Sequence, residues 1–263
     1  MLEDILDLEQ FPIDRPGTPQ YRQLLEQSRA SLAANGMFNL EGFLRRDAAK
    51  KAAGELAALM QTSSFLHKRQ HNIYFRKQID GLPAGHPALK LCETVNHTLC
   101  ADQIPQSTAM AIYRFAPLLQ FLADAMGKPR LYLMDDPLAC ANVIAYRKGE
   151  ALNWHFDRSE FTTTLLLQAP RSGAEFEYRS DLRSDEDPNY DGVAKLLEGR
   201  DPQLRSLKIS AGTLNVFRGK NTAHRVTPVV GKRERVIAVF SFYERPGVQF
   251  SEEERVGFYG RAG

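Results

Sequence analysis

Apolar residues recur at helical spacing through the first half of the chain and at strand spacing through the second, with the change near residue 130. In residues 21–35, Leu24, Leu25, Ser28 and Leu32 share one helical face, and Asn35-Gly36 supplies a helix stop. Asp47 reads as the cap of a second helix over residues 48–61, whose apolar stripe is Leu56, Leu59 and Met60. Arg45, Arg46, Lys50 and Lys51 beside that stripe read as a solvated face. Residues 87–99 and 108–126 give two further helical patterns.

Beyond residue 130, the segments 141–146, 162–167, 174–179, 212–217, 224–229 and 235–243 are short, rich in Val, Ile, Thr and aromatics, and bounded by turn residues. Short strands at close spacing predict a sandwich or barrel. The polar stretch 180–205 interrupts them as a surface insertion or lid, with Asp185-Glu186-Asp187-Pro188 and one helical piece at 193–198. No internal repeat, low-complexity tract or linker divides the chain. The expectation is one domain over 1–263: a mainly helical cap at 1–130, a β-core at 131–245 carrying the 180–205 loop, and a C-terminal tail at 246–263.

Composition narrows the partners. With 263 residues, 43% of them hydrophobic, the chain can build a core without covalent staples. Thirty-four Lys and Arg against 32 Asp and Glu leave a formal charge of +2, which asks for neither nucleic acid nor an anionic membrane. No apolar run approaches the roughly 18 residues of a membrane span. Met1-Leu2-Glu3-Asp4 is acidic where a signal peptide is basic. Cys92, Cys100 and Cys140 are odd in number and form no CxxC, which reads as reduced thiols of a cytoplasmic protein. Nothing in the pattern specifies an oligomeric state.

One constellation carries chemistry. His155 and Asp157 lie two apart in the extended run Asn153-Trp154-His155-Phe156-Asp157, so alternation sends both to one face and Trp154 to the other. His224 begins a later strand. Two imidazoles and one carboxylate on one side of a metal leave three positions open, the facial arrangement of non-haem Fe(II) oxygenases. After His224 the chain runs through Arg233 and Arg235 into an apolar strand. A guanidinium fork makes two parallel charge-assisted bonds to a carboxylate, which suits the far end of a chelating keto acid. Arg233 and Arg235 share strand parity. Arg235, which begins the uninterrupted strand, is favoured.

These residues resemble the Fe(II)/2-oxoglutarate-dependent dioxygenase superfamily, its prolyl-hydroxylase-like branch in particular. The likeness runs through residues 141–243. Tyr146 and Gly149 form a Tyr-x-x-Gly ahead of His155-x-Asp157; Gly212-Thr213-Leu214-Asn215-Val216-Phe217 then precedes His224-Arg225-Val226-Thr227-Pro228-Val229. Gly36-Met37-Phe38 and Gly42-Phe43-Leu44 resemble the superfamily's N-terminal helical cap. More narrowly, residues 155–168 and the tail Tyr259-Gly260-Arg261 are similar to small bacterial enzymes acting on free amino acids, the lysine-type radical halogenases and their hydroxylase relatives.

The resemblance implies an α+β fold: a double-stranded β-helix (jelly-roll, cupin-like) core flanked by N-terminal helices. It implies Fe(II), 2-oxoglutarate and O2, and oxidation of an unactivated C–H with release of succinate and CO2. It makes His155, Asp157 and His224 the metal ligands, and Arg235 or Arg233, with Tyr146, the 2-oxoglutarate contacts. Asn142 and Asp136 are weaker candidates for that role. In the halogenases a Gly replaces the carboxylate so that chloride can bind iron. Here Asp157 stands, which implies a hydroxylase. Leu152 stands where a lysine-binding site would use a polar group, so lysine is not implied as substrate.

The basic, aromatic segment 67–77 reads either as a solvated loop or as a wall of the substrate pocket, with Arg76 meeting a substrate carboxylate and Tyr74 a second substrate-binding candidate. Tyr259 is a third candidate, closing over the substrate. His67, His71, His86 and His97 read as structural or surface residues. The expected substrate is a small amino-acid-like molecule. One alternative is a protein or carrier-bound side chain, which needs an open groove. Another is a non-catalytic metal-binding sensor, against which the complete triad and arginine stand. Hydroxylation, desaturation, cyclisation and epimerisation share their first step and stay open.

Overall fold

The computed structural model describes residues 2–263. Its helices are α1 Leu2–Ile5, α2 Pro19–Asn35, α3 Arg46–Thr62, α4 Thr108–Tyr113, α5 Ala116–Met126, α6 Tyr190–Leu197 and α7 Glu252–Tyr259. Its strands are β1 Met37–Leu40, β2 Phe65–His71, β3 Cys92–Leu99, β4 Tyr132–Leu133, β5 Ala141–Tyr146, β6 Leu152–His155, β7 Thr162–Gln168, β8 Ser172–Gly173, β9 Phe176–Arg179, β10 Arg205–Leu207, β11 Leu214–Phe217, β12 Ala223–Val226, β13 Val229–Val230, β14 Arg235–Phe240 and β15 Phe242–Tyr243. Among the described residues, no helix is long and apolar enough to cross a membrane.

Seven strands form one antiparallel sheet in the order β1-β11-β7-β14-β5-β3-β2, and four form a second, β10-β9-β12-β6. Alternation gives the larger sheet two unlike faces. Phe38, Val143, Ala145, Leu165, Leu167, Val216 and Phe240 bury themselves with Leu24, Leu32, Leu56, Leu118 and Phe121 of the helices in the main core. The other face carries Thr94, Asn96, Thr98, Asn142, Thr164, Asn215 and Arg235. The register aligns them: Thr164 lies opposite both Asn215 and Val239, and Val239 opposite Asn142. A face this polar cannot close dry on a second sheet. It bounds a cavity of about 800 Å³, within the range of small-molecule sites.

Helix α2 begins at Pro19 behind Thr18, whose hydroxyl accepts from the Tyr21 amide, and stops at Gly36 in the left-handed region (φ 71°). Other expectations are corrected. The cap of α3 is Arg45; Asp47 lies inside the first turn, where its charge complements the helix dipole. Residues 108–126 divide into α4 and α5, because Pro117 lacks an amide and its ring clashes with the preceding turn. Residues 87–99 are not a helix: after one 3-10 turn at Pro87–Leu89 they form β3.

Thus β1, β2 and β3, all before residue 130, belong to the larger sheet, and the first half is not simply a helical cap. The Gly36-Met37-Phe38 run enters β1, which pairs with β11. The polar stretch at 180–205 holds α6, starting three residues before the expected piece.

The C-terminal segment is fastened by a buried carboxylate. Asp136 Oδ1 accepts from the Leu138 and Ala139 amides at 2.9 and 2.8 Å. Oδ2 accepts from the Phe250 amide and from Arg255 Nε of α7, both at 2.9 Å. Burial opposes the charge on Asp136, but these amides and Arg255 outweigh it and hold the carboxyl below its ordinary pKa. Asp136 therefore serves the tail rather than a cofactor. Losing one member of such a pair costs about 3–5 kcal/mol. Asp136→Ala should lose that much in denaturant unfolding. The contribution is complete above the ordinary carboxylate pKa of about 4 and is lost as pH falls through the lower folded value. Wild-type and variant stabilities should converge over that acid range.

Candidate metal centre and its cavity

The smaller sheet seats two imidazoles. His155 ends β6, His224 lies in β12, and the antiparallel register sets them directly opposite. Cross-strand neighbours share a face, and here the ring centroids are 4.1 Å apart. Each Nδ1 faces the carbonyl two residues back: Asn153 O at 2.8 Å for His155 and Thr222 O at 2.9 Å for His224. A carbonyl only accepts, so each Nδ1 carries a proton, and Nε2 is the nitrogen turned toward Asp157 and able to bind a cation in place of its own proton. Asp157 Oδ1 lies 3.2 Å from His155 Nε2, and its Oδ2 lies 3.5 Å from His224 Nε2. One donor atom from each residue falls within 4.8 Å of the others.

Burial opposes ionisation of Asp157, but the two imidazoles outweigh it and hold the carboxyl well below its usual value. Burial, and then neighbouring His224, pushes the His155 pKa down. An ionised carboxylate beside a neutral imidazole is the state that binds a divalent cation. Two nitrogens and one oxygen facing an open cavity fit a first-row metal with free coordination positions.

Across the cavity, Arg235 opens β14 directly opposite Tyr146 of β5. It is 4% exposed, with its guanidinium 5.7 Å over the Tyr146 ring. Among the described residues, no carboxylate lies within ion-pair distance of it. Burial pushes the Arg235 pKa down and the Tyr146 hydroxyl up to about 12. A buried guanidinium without a carboxylate is a receptor for an anion. Arg233 is exposed, lies before the strand and does not line the cavity.

Tyr74, Arg76 and Tyr259 all line the same cavity. The Tyr74 hydroxyl donates to Pro188 O at 2.5 Å, tying segment 67–77 to the polar insertion. The Tyr259 hydroxyl donates to Asn142 Oδ1 at 2.9 Å. His67 and His71 also line the cavity, whereas His86 caps the 3-10 turn and His97 pairs with Glu150. Trp154 points away from His155 into a small buried cluster.

The chain matches the sequence model of Halogenase D over residues 20–253. It belongs to the Halogenase D family. No curated protein matches it in sequence. Among solved structures, it is similar to a 2OG-Fe(II) oxygenase-family oxidoreductase from Burkholderia pseudomallei, at 14% identity and TM-score 0.51 over 85% of this chain and 92% of that one. It is also similar to the alpha-ketoglutarate-dependent epimerase SnoN of nogalamycin biosynthesis, at 13% identity and TM-score 0.57 over 84% and 83%. HygX from Streptomyces hygroscopicus, with nickel, 2-oxoglutarate and hygromycin B bound, matches at 12% identity and TM-score 0.56 over 86% and 89%. At these identities the likeness is one of fold: mixed helices and antiparallel sheets.

Within this Halogenase D family member, the surroundings of Asp157 are built for a carboxylate. Thr162 Oγ1 donates to Oδ2, and the Asp157 amide donates to Gly219 O at 3.0 Å. A Cβ on Gly219 would stand 2.4 Å from both Asp157 Oδ2 and Thr162 Oγ1. Sequence reasoning missed Thr162, Gly219 and Arg183, and reached Arg69 only as part of the 67–77 segment. The glycine's signal is a close approach visible only in three dimensions. Disturbing the partners of a metal ligand typically costs about 10–100-fold in affinity. Gly219→Ala should therefore weaken Mn(II) binding by that order in calorimetric titration, while Gly54→Ala in α3, where a Cβ meets nothing within 4 Å and the backbone is helical, should not.

Proposed function

We propose that the protein is an Fe(II)/2-oxoglutarate-dependent oxygenase that hydroxylates a small amino-acid-like molecule, its two sheets being the halves of a double-stranded β-helix. One observation carries this: a three-donor cluster on one sheet and an unpartnered, buried Arg235 on the other face the same cavity. A keto acid that chelates a metal through one end and carries a carboxylate at the other answers both. Bound iron, with 2-oxoglutarate and O2, supplies an oxidant able to take hydrogen from an unactivated C–H, releasing succinate and CO2.

The chain's own residues supply placement. His155, Asp157 and His224 would hold the metal, their orientation set by backbone carbonyls and by Thr162. Arg235 grips the far carboxylate, and Tyr146 donates to it. Leu152, Val226 and Ile237 exclude water there. Arg76, Tyr74 and Tyr259 bound the space left for substrate. The bond from Tyr74 to Pro188 draws the insertion toward this space, which favours a free small molecule over a peptide groove. Hydroxylation is preferred to halogenation within this family because Asp157 occupies the position a halide would need. Three cysteines without a disulfide suit a cytoplasmic setting.

Succinate formation across a panel of amino acids and derivatives should require both Fe(II) and 2-oxoglutarate, and His155→Ala should abolish it together with metal binding. Arg235→Ala should raise the 2-oxoglutarate requirement by about a hundredfold or more, the equivalent of about 3–5 kcal/mol for a broken buried pair, while sparing metal affinity. Arg233→Ala should change neither. Reactions run in chloride or bromide should give no halogenated product by mass spectrometry; a chlorinated product from the unmodified protein would show that Asp157 does not set the outcome.

A further inference from the structure

The cavity is more cationic than its metal and keto-acid ends require. Arg69, Arg76, Arg158, Arg183 and Lys220 line it together with Arg235, against a single lining acid, Asp157. Glu254 neutralises Arg158, and Asp185 pairs with Lys220 at 2.6 Å. Among the described residues, Arg69, Arg76 and Arg183 have no carboxylate within ion-pair distance. A divalent metal, Asp157, the 2-oxoglutarate dianion and Arg235 cancel one another, which leaves three guanidiniums without an ion-pair partner: Arg69 and Arg183 partly buried, Arg76 exposed at the rim, with Asp185 acting on Arg183 from beyond pairing distance.

Two of them rest on aromatic shelves beside the triad. The Arg183 guanidinium lies 4.0 Å from the Phe156 centroid and 5.8 Å from that of Tyr74, and its Nε donates to Lys220 O at 2.8 Å. Phe156 is the residue between His155 and Asp157. Arg69 lies 4.9 Å over Phe75, a ring stacked on His71 at 4.4 Å and 6.2 Å from His155. Stacking fixes the plane of a guanidinium and leaves its remaining N–H groups free to grip an anion. Arg76 is held by its backbone, whose amide donates to Asn72 Oδ1 at 3.1 Å, and its charge repels that of Arg183. The Arg76 side chain is exposed, and repulsion between it and the stacked Arg183 is relieved when an anion enters between them.

We propose that the substrate is a dicarboxylate, an acidic amino acid or close analogue, with one carboxylate directed to Arg183 and Arg76 and the other to Arg69. The assignment rests on the oxygenase reading and names the substrate class within it. A substrate carrying a second ammonium would instead meet three guanidiniums that have no ion-pair partner. The α-amino group of an acidic amino acid adds only one positive charge to two negative ones.

Calorimetric titration under nitrogen tests this with protein loaded with Ni(II) and 2-oxoglutarate, so that Arg235 is already occupied. The probes are L-aspartate, L-glutamate and L-2-aminoadipate, against L-norleucine and L-lysine. At least one acidic probe should bind more than tenfold tighter than both others, and Arg183→Gln and Arg69→Gln should each weaken it at least tenfold. Equal or tighter binding of L-lysine or L-norleucine, no binding by any acidic probe, or indifference to both substitutions would overturn the proposal. A second titration uses metal-free Arg235→Met protein. The same ranking there, without Fe(II)-dependent succinate formation by the wild type, would reject the oxygenase reading and leave the anion site standing. Loss of the ranking alongside intact wild-type turnover would do the reverse.

Discussion

Buried charge without a protein counter-ion is the constraint on which this structure turns. Asp157, two residues past the end of β6, and Arg235, at the start of β14 in the larger sheet, are of opposite sign and form no ion pair with each other. Asp157 is surrounded by imidazoles and a hydroxyl; Arg235 has only an aromatic ring. Arg235 is buried and Asp157 partly so, and desolvated charges are costly unless matched. The fold holds both in place because each sheet is fastened from outside, the larger one by its apolar face against the helices. The cavity thereby offers a cation one wall and an anion the other, and on the proposed reading a chelating keto acid would answer both at once.

The same constraint explains the unlike faces of the larger sheet. One face drives folding by burying aliphatic and aromatic side chains. The other gives up that gain to present Thr, Asn and Arg to a ligand. Function therefore weakens half of the hydrophobic pattern, and the helices and the Asp136 clasp on the C-terminal segment supply compensating order.

Legibility in the sequence follows from this division. The helix α2 and the strands β5, β7 and β14 were readable because at least one face of each meets the apolar core. The three residues were grouped from the His-x-Asp spacing and His224, and the structure brings them together although β6 ends at His155 and Asp157 lies two residues beyond it. Arg235 was favoured over Arg233 because it opens the uninterrupted strand, and the structure buries Arg235 at the cavity while Arg233 is exposed. By contrast, β2 and β3 were hidden. Their cavity-facing residues, His67, Arg69, His71, Thr94, Asn96 and Thr98, are polar, so the pattern read as loop and helix although the strands pair in full register. The contacts of Arg69 and Arg183 were hidden for a related reason: a guanidinium on an aromatic shelf depends on long-range folding, and its sequence looks like any solvated basic stretch.

The most direct test of the central claim is thermal unfolding of the anaerobic protein with Ni(II) and 2-oxoglutarate, added separately and together. Ligands that bind only the folded state raise its stability according to their affinity. If one molecule bridges the metal on the triad and Arg235, the two together should raise the unfolding temperature by more than the sum of their separate effects. Additive shifts, or none from 2-oxoglutarate in the presence of metal, would contradict the account.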